Sequence, residues 1–353
     1  MTGRPSPCAQ QQRSSEISMA IGNEKTLMLT VMRNEGPYIL EWIAHHFALG
    51  IDDLLIFTNF CTDNTDKILD RIEVLWPHRV KHQPNPKVMF PKQGMWHIMA
   101  LRYAGHFGRY QAADWLYVTD ADEFLNLRND AGTLDGFFED AGPADAVSFT
   151  SVAFNSNGHK HETDDLVTTR YTQTTADLDG ADQSGDEIIT AVKTLYRNAI
   201  KGPRRPHRPV TKTFSTTGFK WIDGSGAQMP ASFTDSDYKG INAVPTRAFG
   251  QVNHYSIKSA AEFLLKVDRG DAVQADRLGA SEHYWNHANR TGGTDTSNVG
   301  LSPAAQEIYD FLRADPVLAD LHAQSLELRQ NRLTEILKTE GGQDLARRIG
   351  YYD

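Results

Sequence analysis

The sequence predicts an α/β fold, a mostly parallel sheet flanked by helices with a helical extension at the carboxyl end. Three observations predict it. Apolar runs of strand length alternate with stretches of helical spacing through the first third of the chain. The polar segments that follow these runs fall where a parallel sheet opens its ligand crevice. One run, Trp115-Leu-Tyr-Val118, leads straight into Thr119-Asp-Ala-Asp122, which sets two carboxylates at i and i+2.

Residues 26–32 (TLMLTVM) are apolar on both faces, as a buried parallel strand reads. Residues 36–49 carry Ile39, Leu40, Ile43 and Phe47 at helical spacing, with Pro37 in the first turn. Residues 53–58 form a second strand, and a turn over 59–64 leads to an amphipathic helix over about 65–76. A short third strand is expected over 80–82, a helix over 93–109 and a fourth strand over 115–118. Further strands are expected over 146–154, 166–171, 190–196 and 251–255, with a polar, acidic loop over 172–187. Helical spacing returns in 259–269, 303–312 and 316–338. We read 1–25 as a disordered tail and 26–270 as the main domain, its 26–125 half holding nucleotide and its 126–270 half holding acceptor. Residues 271–353 are read as a C-terminal helical region.

With 353 residues, 40% of them hydrophobic, the chain can bury a full core. A net charge of −9 argues against nucleic acid as a partner. No apolar run reaches the roughly 20 residues of a membrane span, and the start lacks a secretory signal's apolar centre. Only Cys8 and Cys61 are present, so no disulfide framework is expected and a reducing, cytoplasmic setting is favoured. The stretch 201–212, with Arg204, Arg205 and Arg208, is the concentrated basic segment, suited to an anionic acceptor or to peripheral contact at the inner membrane face.

Carboxylates resist burial unless something pairs with them. Asp120 and Asp122 beside a buried strand therefore point to a cation, and a hard ion such as Mg²⁺ or Mn²⁺ takes oxygen ligands and shares them with substrate phosphates. A solvated acidic turn is the plainer reading, and the apolar flanks of this one disfavour it.

Five segments, each expected at a strand end, carry a resemblance: Thr30-Val-Met-Arg-Asn-Glu35, Asn59 to Asp66, Asp120-Ala-Asp-Glu-Phe124, Phe154-Asn-Ser-Asn-Gly-His159, and Asn253-His-Tyr-Ser-Ile-Lys-Ser259 with the helix holding Lys266 and Arg269. Across residues 26–270 the chain resembles a GT-A type glycosyltransferase, specifically bacterial relatives of glycosyltransferase families 2 and 92. The resemblance implies a GT-A (Rossmann-like) sheet and transfer of a sugar, with inversion, from a nucleotide diphosphate sugar (a UDP-sugar favoured) to a hydroxyl of a saccharide, lipid or other acceptor. It implies that Asp120, Asp122 and His254 hold Mn²⁺ or Mg²⁺. Donor contacts would come from Thr30, Arg33, Asn34, Glu35, Asn59, Asp63, Gln93, Ala121 and Lys258 as well. Asp66 competes with Asp63 as a plain helix cap. An inverting enzyme also needs a carboxylate base. Asp223, in a Gly-rich turn beside Trp221, is the first candidate, followed by Asp165 and Glu162, with Asp164 in the same loop. Each is also readable as an ordinary loop acid. Glu123 reads as orienting its neighbours' backbone, and His159-x-His161 as a polar loop rather than a zinc site.

Two rival functions stay open on sequence. A sugar nucleotidyltransferase would want a Gly-rich basic loop after the first strand, which Val31 to Glu35 lacks. A binding protein would keep the sugar-nucleotide pocket without turnover.

Overall fold

Ten strands pair into one curled sheet in the computed structural model, which describes residues 22–352 apart from 93, 179–186, 201, 212–218, 271–277 and the side chains of 278–280. In chain order the elements of the first half are β1 (Thr26–Met32), α1 (Ile39–Ala48), β2 (Asp53–Thr58), α2 (Thr65–Leu75), β3 (Val80–Pro84), α3 (Trp96–Ala104), α4 (Gly108–Ala112), β4 (Trp115–Val118) and β5 (Glu123–Leu127). Next come α5 (Leu134–Ala141), β6 (Ala146–Ala153), α6 (Val167–Arg170), β7 (Ile189–Arg197), β8 (Trp221–Asp223), α7 (Ala231–Thr234), β9 (Gly240–Asn242) and β10 (Gly250–His254). Helices α8 (Ala260–Arg269), α9 (Leu278–Ala288), α10 (Pro303–Arg313), α11 (Pro316–Ile336) and α12 (Glu340–Arg348) complete the described chain.

The sheet order is β3-β2-β1-β4-β7-β6-β10-β5, with β8 beside β6 and β9 beside β7. Strands β3, β2, β1 and β4 are mutually parallel, so their carboxyl ends share one edge, as the sequence predicts for residues 26–125. Beyond β4 the sheet is mixed: β7 runs antiparallel to β4 and β6, while β10 and β8 run parallel to β6. One apolar cluster, with Met28, Trp42 and Ile43, fills the face covered by α1 and takes in Ile308 and Leu312 of α10 and Leu318 of α11. The opposite face packs Leu27, Leu55 and Val118 against Ala100 and Leu101 of α3. The carboxyl-terminal helices thus share a core with the first half of the sheet.

Strand β5, which follows the acidic turn, pairs on one side with β10. Its other side is closed by side chains of the buried helix α1. The indole N–H of Trp42 donates to the Glu123 carbonyl at 2.9 Å, and His45 Nε2 donates to the Leu125 carbonyl at 2.7 Å. Nδ1 of His46 bonds the Trp42 carbonyl at 2.9 Å, which leaves its Nε2 to accept the Leu125 N–H at 3.4 Å. Both imidazoles stay neutral, since burial pulls His45 down to about 4 and His46 well below its ordinary value. A row of helix side chains here replaces the missing neighbour strand.

Three expectations need correction. Residues 166–171 are not a strand: Val167–Arg170 is a short helix. Glu41 of α1 causes this, because its buried carboxylate accepts the N–H groups of Val167 at 2.7 Å and Thr168 at 3.0 Å, the free donors of a first helical turn. Residues 93–109 hold two helices, broken at Gly105 to Phe107, instead of one. Asp66 does not cap α2. The cap position is Asn64, at φ 63°, which makes no side-chain cap bond, while Asp63 before it accepts from Thr65 N at 3.1 Å and from the Thr65 hydroxyl at 2.5 Å.

Candidate active site

The acidic turn lies on the sheet edge where the parallel strands end, and other elements fix both of its flanks. The Asp122 carbonyl accepts the Tyr255 N–H at 2.8 Å, and the next residue, Glu123, pairs in register with His254. His254 ends β10 and lies level with Ala153 of β6. Sequence distance is thereby erased, and residues 120–123 and 254 meet at one edge.

The two aspartates face different partners. Asp120 accepts from His97 Nε2 of α3 at 2.9 Å and from Lys193 Nζ of β7 at 2.7 Å. Lys193 is buried between Asp120 and Glu123, 2.9 Å from the latter. Glu123 also accepts the Thr119 hydroxyl and the Asp120 N–H, each at 3.0 Å, so it braces the turn from inside. Asp122 pairs with Lys266 Nζ of α8 at 2.9 Å and lies 3.6 Å from His254 Nε2.

Burial opposes charge on both aspartates, but Lys193 and His97 hold the Asp120 carboxyl far below the carboxylate range, and Lys266 and His254 do the same for Asp122. Burial also works against a charged His254, yet the Asp122 carboxylate outweighs it and raises the imidazole's pKa. Lys193 is raised too, since Asp120 and Glu123 outweigh its burial. Three carboxylates therefore face two lysines and two imidazoles. Asp120 and Asp122 are ionised at neutral pH, and Lys193, Lys266 and His254 place positive charge around them.

Helix α8 connects this turn to the β1 loop. It opens with a capping box between Ser259 and Glu262. One turn beyond Lys266, Arg269 binds the Glu35 carboxylate at 2.5 Å and the carbonyls of Arg33 and Asn34. Lys258, held at φ 54°, reaches 4.0 Å from Glu35 and stacks 4.2 Å over the Tyr38 ring. Asn34, at φ 56°, donates to the Thr62 hydroxyl and accepts the Thr62 N–H at 2.8 Å, clamping the β1 and β2 loops together. Asp63 is buried and accepts the Gly36 N–H at 3.1 Å.

Residues 32–184 match the family model described as glycosyltransferase family 92. A glycosyltransferase family 92 protein of Ricinus communis is 25% identical over 146 residues, which are 40% of this chain. The chain is similar to family 92 glycosyltransferases over these residues. It spans about a quarter of that relative's length, the match covering 25% of it. Among solved structures, Staphylococcus aureus TarS residues 1–349 in complex with UDP is 9% identical, with 89% of this chain and 91% of that chain covered at a TM-score of 0.28. A second TarS structure is 11% identical, with 88% and 55% covered at 0.29. Scores this far below one half do not establish superposable folds, so the fold reading stands on strand order and the family match.

The matched residues 32–184 include Arg33, Asn34, Glu35, Asn59, Asp63, Asp120, Ala121 and Asp122. His254, Lys258, Lys266 and Arg269 come from chain beyond the matched residues. Thr30 is buried on β1 with its hydroxyl unpartnered among the described residues, and Asn59 is buried at the end of β2. Gln93 lies outside the described residues. Among those described, no three side chains of metal-ligating type converge. Asp122 and His254 approach each other, while Asp120 turns to His97 and Lys193.

The structure does not bring the candidate bases to the turn. Asp223 pairs in register with Ser148, five residues before Ala153, which is roughly 16 Å along the strand. Its carboxylate accepts Ser225 N, the Ser225 hydroxyl and Ala227 N, shaping its own turn. Glu162 is buried against Tyr38 at 2.5 Å and Arg329 at 2.7 Å, and burial raises its pKa. Asp165 binds only the neighbouring Thr163 hydroxyl, and Asp164 binds His322 and Arg313. In the basic stretch, Arg208 is buried and donates to the carbonyls of Phe233 at 2.6 Å and Tyr238 at 3.0 Å, while Arg204 serves Tyr110, Ile200 and Asn198. Those two arginines hold loops together. His159 bonds the Arg170 carbonyl, as a polar loop residue does.

Sequence reading passed over His97 and Lys193. Lys193 carried one available signal, a lone cation in an otherwise apolar strand segment, AVKTLY, which burial permits only beside a carboxylate.

Proposed function

We propose that the chain is a metal-dependent glycosyltransferase that moves a sugar from a nucleotide diphosphate donor, a UDP-sugar, to a hydroxyl acceptor with inversion. The observation that carries the proposal is the Asp122–His254 pair: an ionised, nearly buried carboxylate 3.6 Å from an imidazole at the open sheet edge, ringed by cations. The family 92 match supports sugar transfer as the reaction.

The donor set fits a hard divalent ion, with carboxylate oxygen and imidazole nitrogen available and positions left for phosphate oxygens. Asp122 and His254 would hold Mn²⁺ or Mg²⁺, with Asp120 nearby. When bound, the ion neutralises charge developing on the departing diphosphate. The chain's own residues prepare that step. Lys266 on α8 and Lys258 just before it would place positive charge toward the diphosphate, and Lys193 with Glu123 keeps the turn rigid so that little reorganisation is needed. The clamped loops of Asn34, Thr62 and Asp63 form the floor proposed for base and ribose. None of the candidate bases Asp223, Asp165 and Glu162 stands at the turn, so the base catalyst is left unassigned.

Incubation with UDP-sugars and a panel of hydroxyl acceptors tests the proposal. Release of UDP together with a glycosylated product is expected. Pyrophosphate release would favour a nucleotidyltransferase, and donor binding without turnover would favour a binding protein.

A further inference from the structure

Beside the acidic turn stands a closed loop whose composition is unlike the rest of the chain. Between Glu73 and Asp114 there is no acidic residue, although the whole chain carries a net −9. Of the six cations in this run, Arg79 donates to the carbonyls of Ile51 and Asp52, Lys81 pairs with Glu73 and Lys87 donates to the Pro91 carbonyl. Arg109 lies 3.6 Å from Asp53, while Lys92 and Arg102 are exposed. Within it, the chain leaves β3 after Pro84 and returns to α3 at Trp96, with residues 85–92, 94 and 95 described between them. The Asn85 amide closes the neck on the Trp96 carbonyl at 3.2 Å, and Lys87 Nζ crosses the loop to the Pro91 carbonyl at 2.7 Å. The arrangement is that of an Ω-loop, fixed at its base.

The loop presents apolar side chains to solvent. Val88, Met89, Phe90 and Met95, with Phe60 from the β2 turn, are five of the fifteen large apolar side chains exposed among the described residues, and Met89 is 76% exposed. Phe60 meets Trp96 edge to face at 5.6 Å, which joins the two loops into one lip. The next residue, His97, is the one bonded to Asp120. The acids that approach this lip, Asp66, Asp70 and Glu73, line the groove of about 780 Å³ behind Phe60 and Val88. Two of them are already engaged, Asp70 with His82 and Glu73 with Lys81.

We propose that this lip docks the protein on an anionic lipid bilayer, with Met89 and Phe90 entering the headgroup–acyl boundary and the lysine-bearing, acid-free run meeting the anionic headgroups. A few inserted apolar side chains plus basic residues are what reversible surface binding requires. A stable protein partner would need roughly 800 Å² of matched surface per side, more than one loop tip supplies. The proposal places the basic contact on Lys92 and Arg102, exposed within the acid-free run, instead of on the 201–212 stretch, where Arg204 and Arg208 serve backbone carbonyls. Resting on the glycosyltransferase reading, it further makes the acceptor a hydroxyl carried at the membrane surface, since docking the lip sets the acidic turn beside the headgroups.

The experiment uses the full chain in co-sedimentation with vesicles of phosphatidylcholine alone and of phosphatidylcholine with one-third phosphatidylglycerol. Partition onto the anionic vesicles is expected, lost at high salt, and weaker by about tenfold or more in Met89→Ser/Phe90→Ser. Lys92→Glu, which leaves the apolar residues in place, is expected to weaken it as well. A UDP thermal shift unchanged in these variants shows that the fold and donor site survive, so failure of the lip and failure of the donor reading are separable. No partition, equal partition onto neutral vesicles, or partition unaffected by both variants would overturn the proposal. So would a concentration-dependent dimer that the double substitution abolishes, because the lip would then cover a second copy of the chain.

Discussion

Replacing Lys193 by methionine is the sharpest test of how the acidic turn is held. Its ammonium lies 2.7 Å from Asp120 and 2.9 Å from Glu123, and the side chain is 1% exposed. Methionine keeps the volume and removes the charge, leaving Glu123, itself 3% exposed, opposite Asp120 with only the Thr119 hydroxyl, the Asp120 N–H and His97 as donors. Deleting one partner of a buried ion pair strands the other charge and costs about 3–5 kcal/mol. That is a large part of the roughly 5–15 kcal/mol that stabilises a typical fold. Urea unfolding at constant m-value reads the loss as a lower midpoint. Adding Glu123→Gln removes the stranded carboxylate, so Lys193→Met/Glu123→Gln should recover part of the loss, with the coupling read from the double-mutant cycle. A loss under about 1 kcal/mol in Lys193→Met, or no recovery in the double variant, would refute the view that these charges depend on one another.

Further outcomes follow from the same structure. The folded-state pKa of His45 is depressed from 6.5 to about 4, so the unfolded chain binds the proton first as pH falls. Its share of stability is intact above pH 6.5 and is lost between there and about 4, amounting to about 3 kcal/mol. His45→Gln, which keeps a donor for the Leu125 carbonyl, should flatten the stability–pH slope in that window, and an unchanged slope would contradict the assignment. Arg329 of α11 binds Glu162, the Tyr38 hydroxyl at 3.0 Å and the Asn34 carbonyl at 3.0 Å. Arg329→Met should cost about 3–5 kcal/mol and loosen the β1 loop, read as faster amide exchange at Asn34 to Gly36. Close packing of the same helix makes Gly36→Ala destabilising by about 1–3 kcal/mol, because a Cβ there would overlap the Ser325 hydroxyl and lie 2.8 Å from the Asp63 carbonyl oxygen. Midpoints equal to the parent's would show that α11 has room to move.

The first half of the sheet was legible because its signals are local. Both-face apolar runs named β1, β2 and β4, and helical spacing named α1 and α2, while strand-end polarity placed Arg33 to Glu35, Asn59 and the acidic turn on one edge. What failed was decided at long range. Residues 166–171 have strand-like composition, yet the Glu41 carboxylate, over 120 positions earlier, supplies the acceptor that turns them into a helix. Phe124-Leu125 belongs to a strand whose outer side is satisfied by Trp42, His45 and His46, a substitution of side chains for a strand that periodicity does not announce. Asp223 satisfied every local criterion for a reactive carboxylate, and the register of β8 against β6 placed it far from the turn. His97 and Lys193 sit in segments whose sequence says only helix and strand, and the fold alone gives them the aspartate they share.

Titration calorimetry of UDP into the protein, with and without Mn²⁺, tests the central claim most directly. Affinity should rise at least tenfold with Mn²⁺ in the parent, and Asp122→Ala should abolish that gain while leaving a weak, metal-free affinity from Lys258 and the β1 loop. Equal affinity with and without the ion would contradict the account, leaving the lysines around the aspartates as the source of charge for the diphosphate.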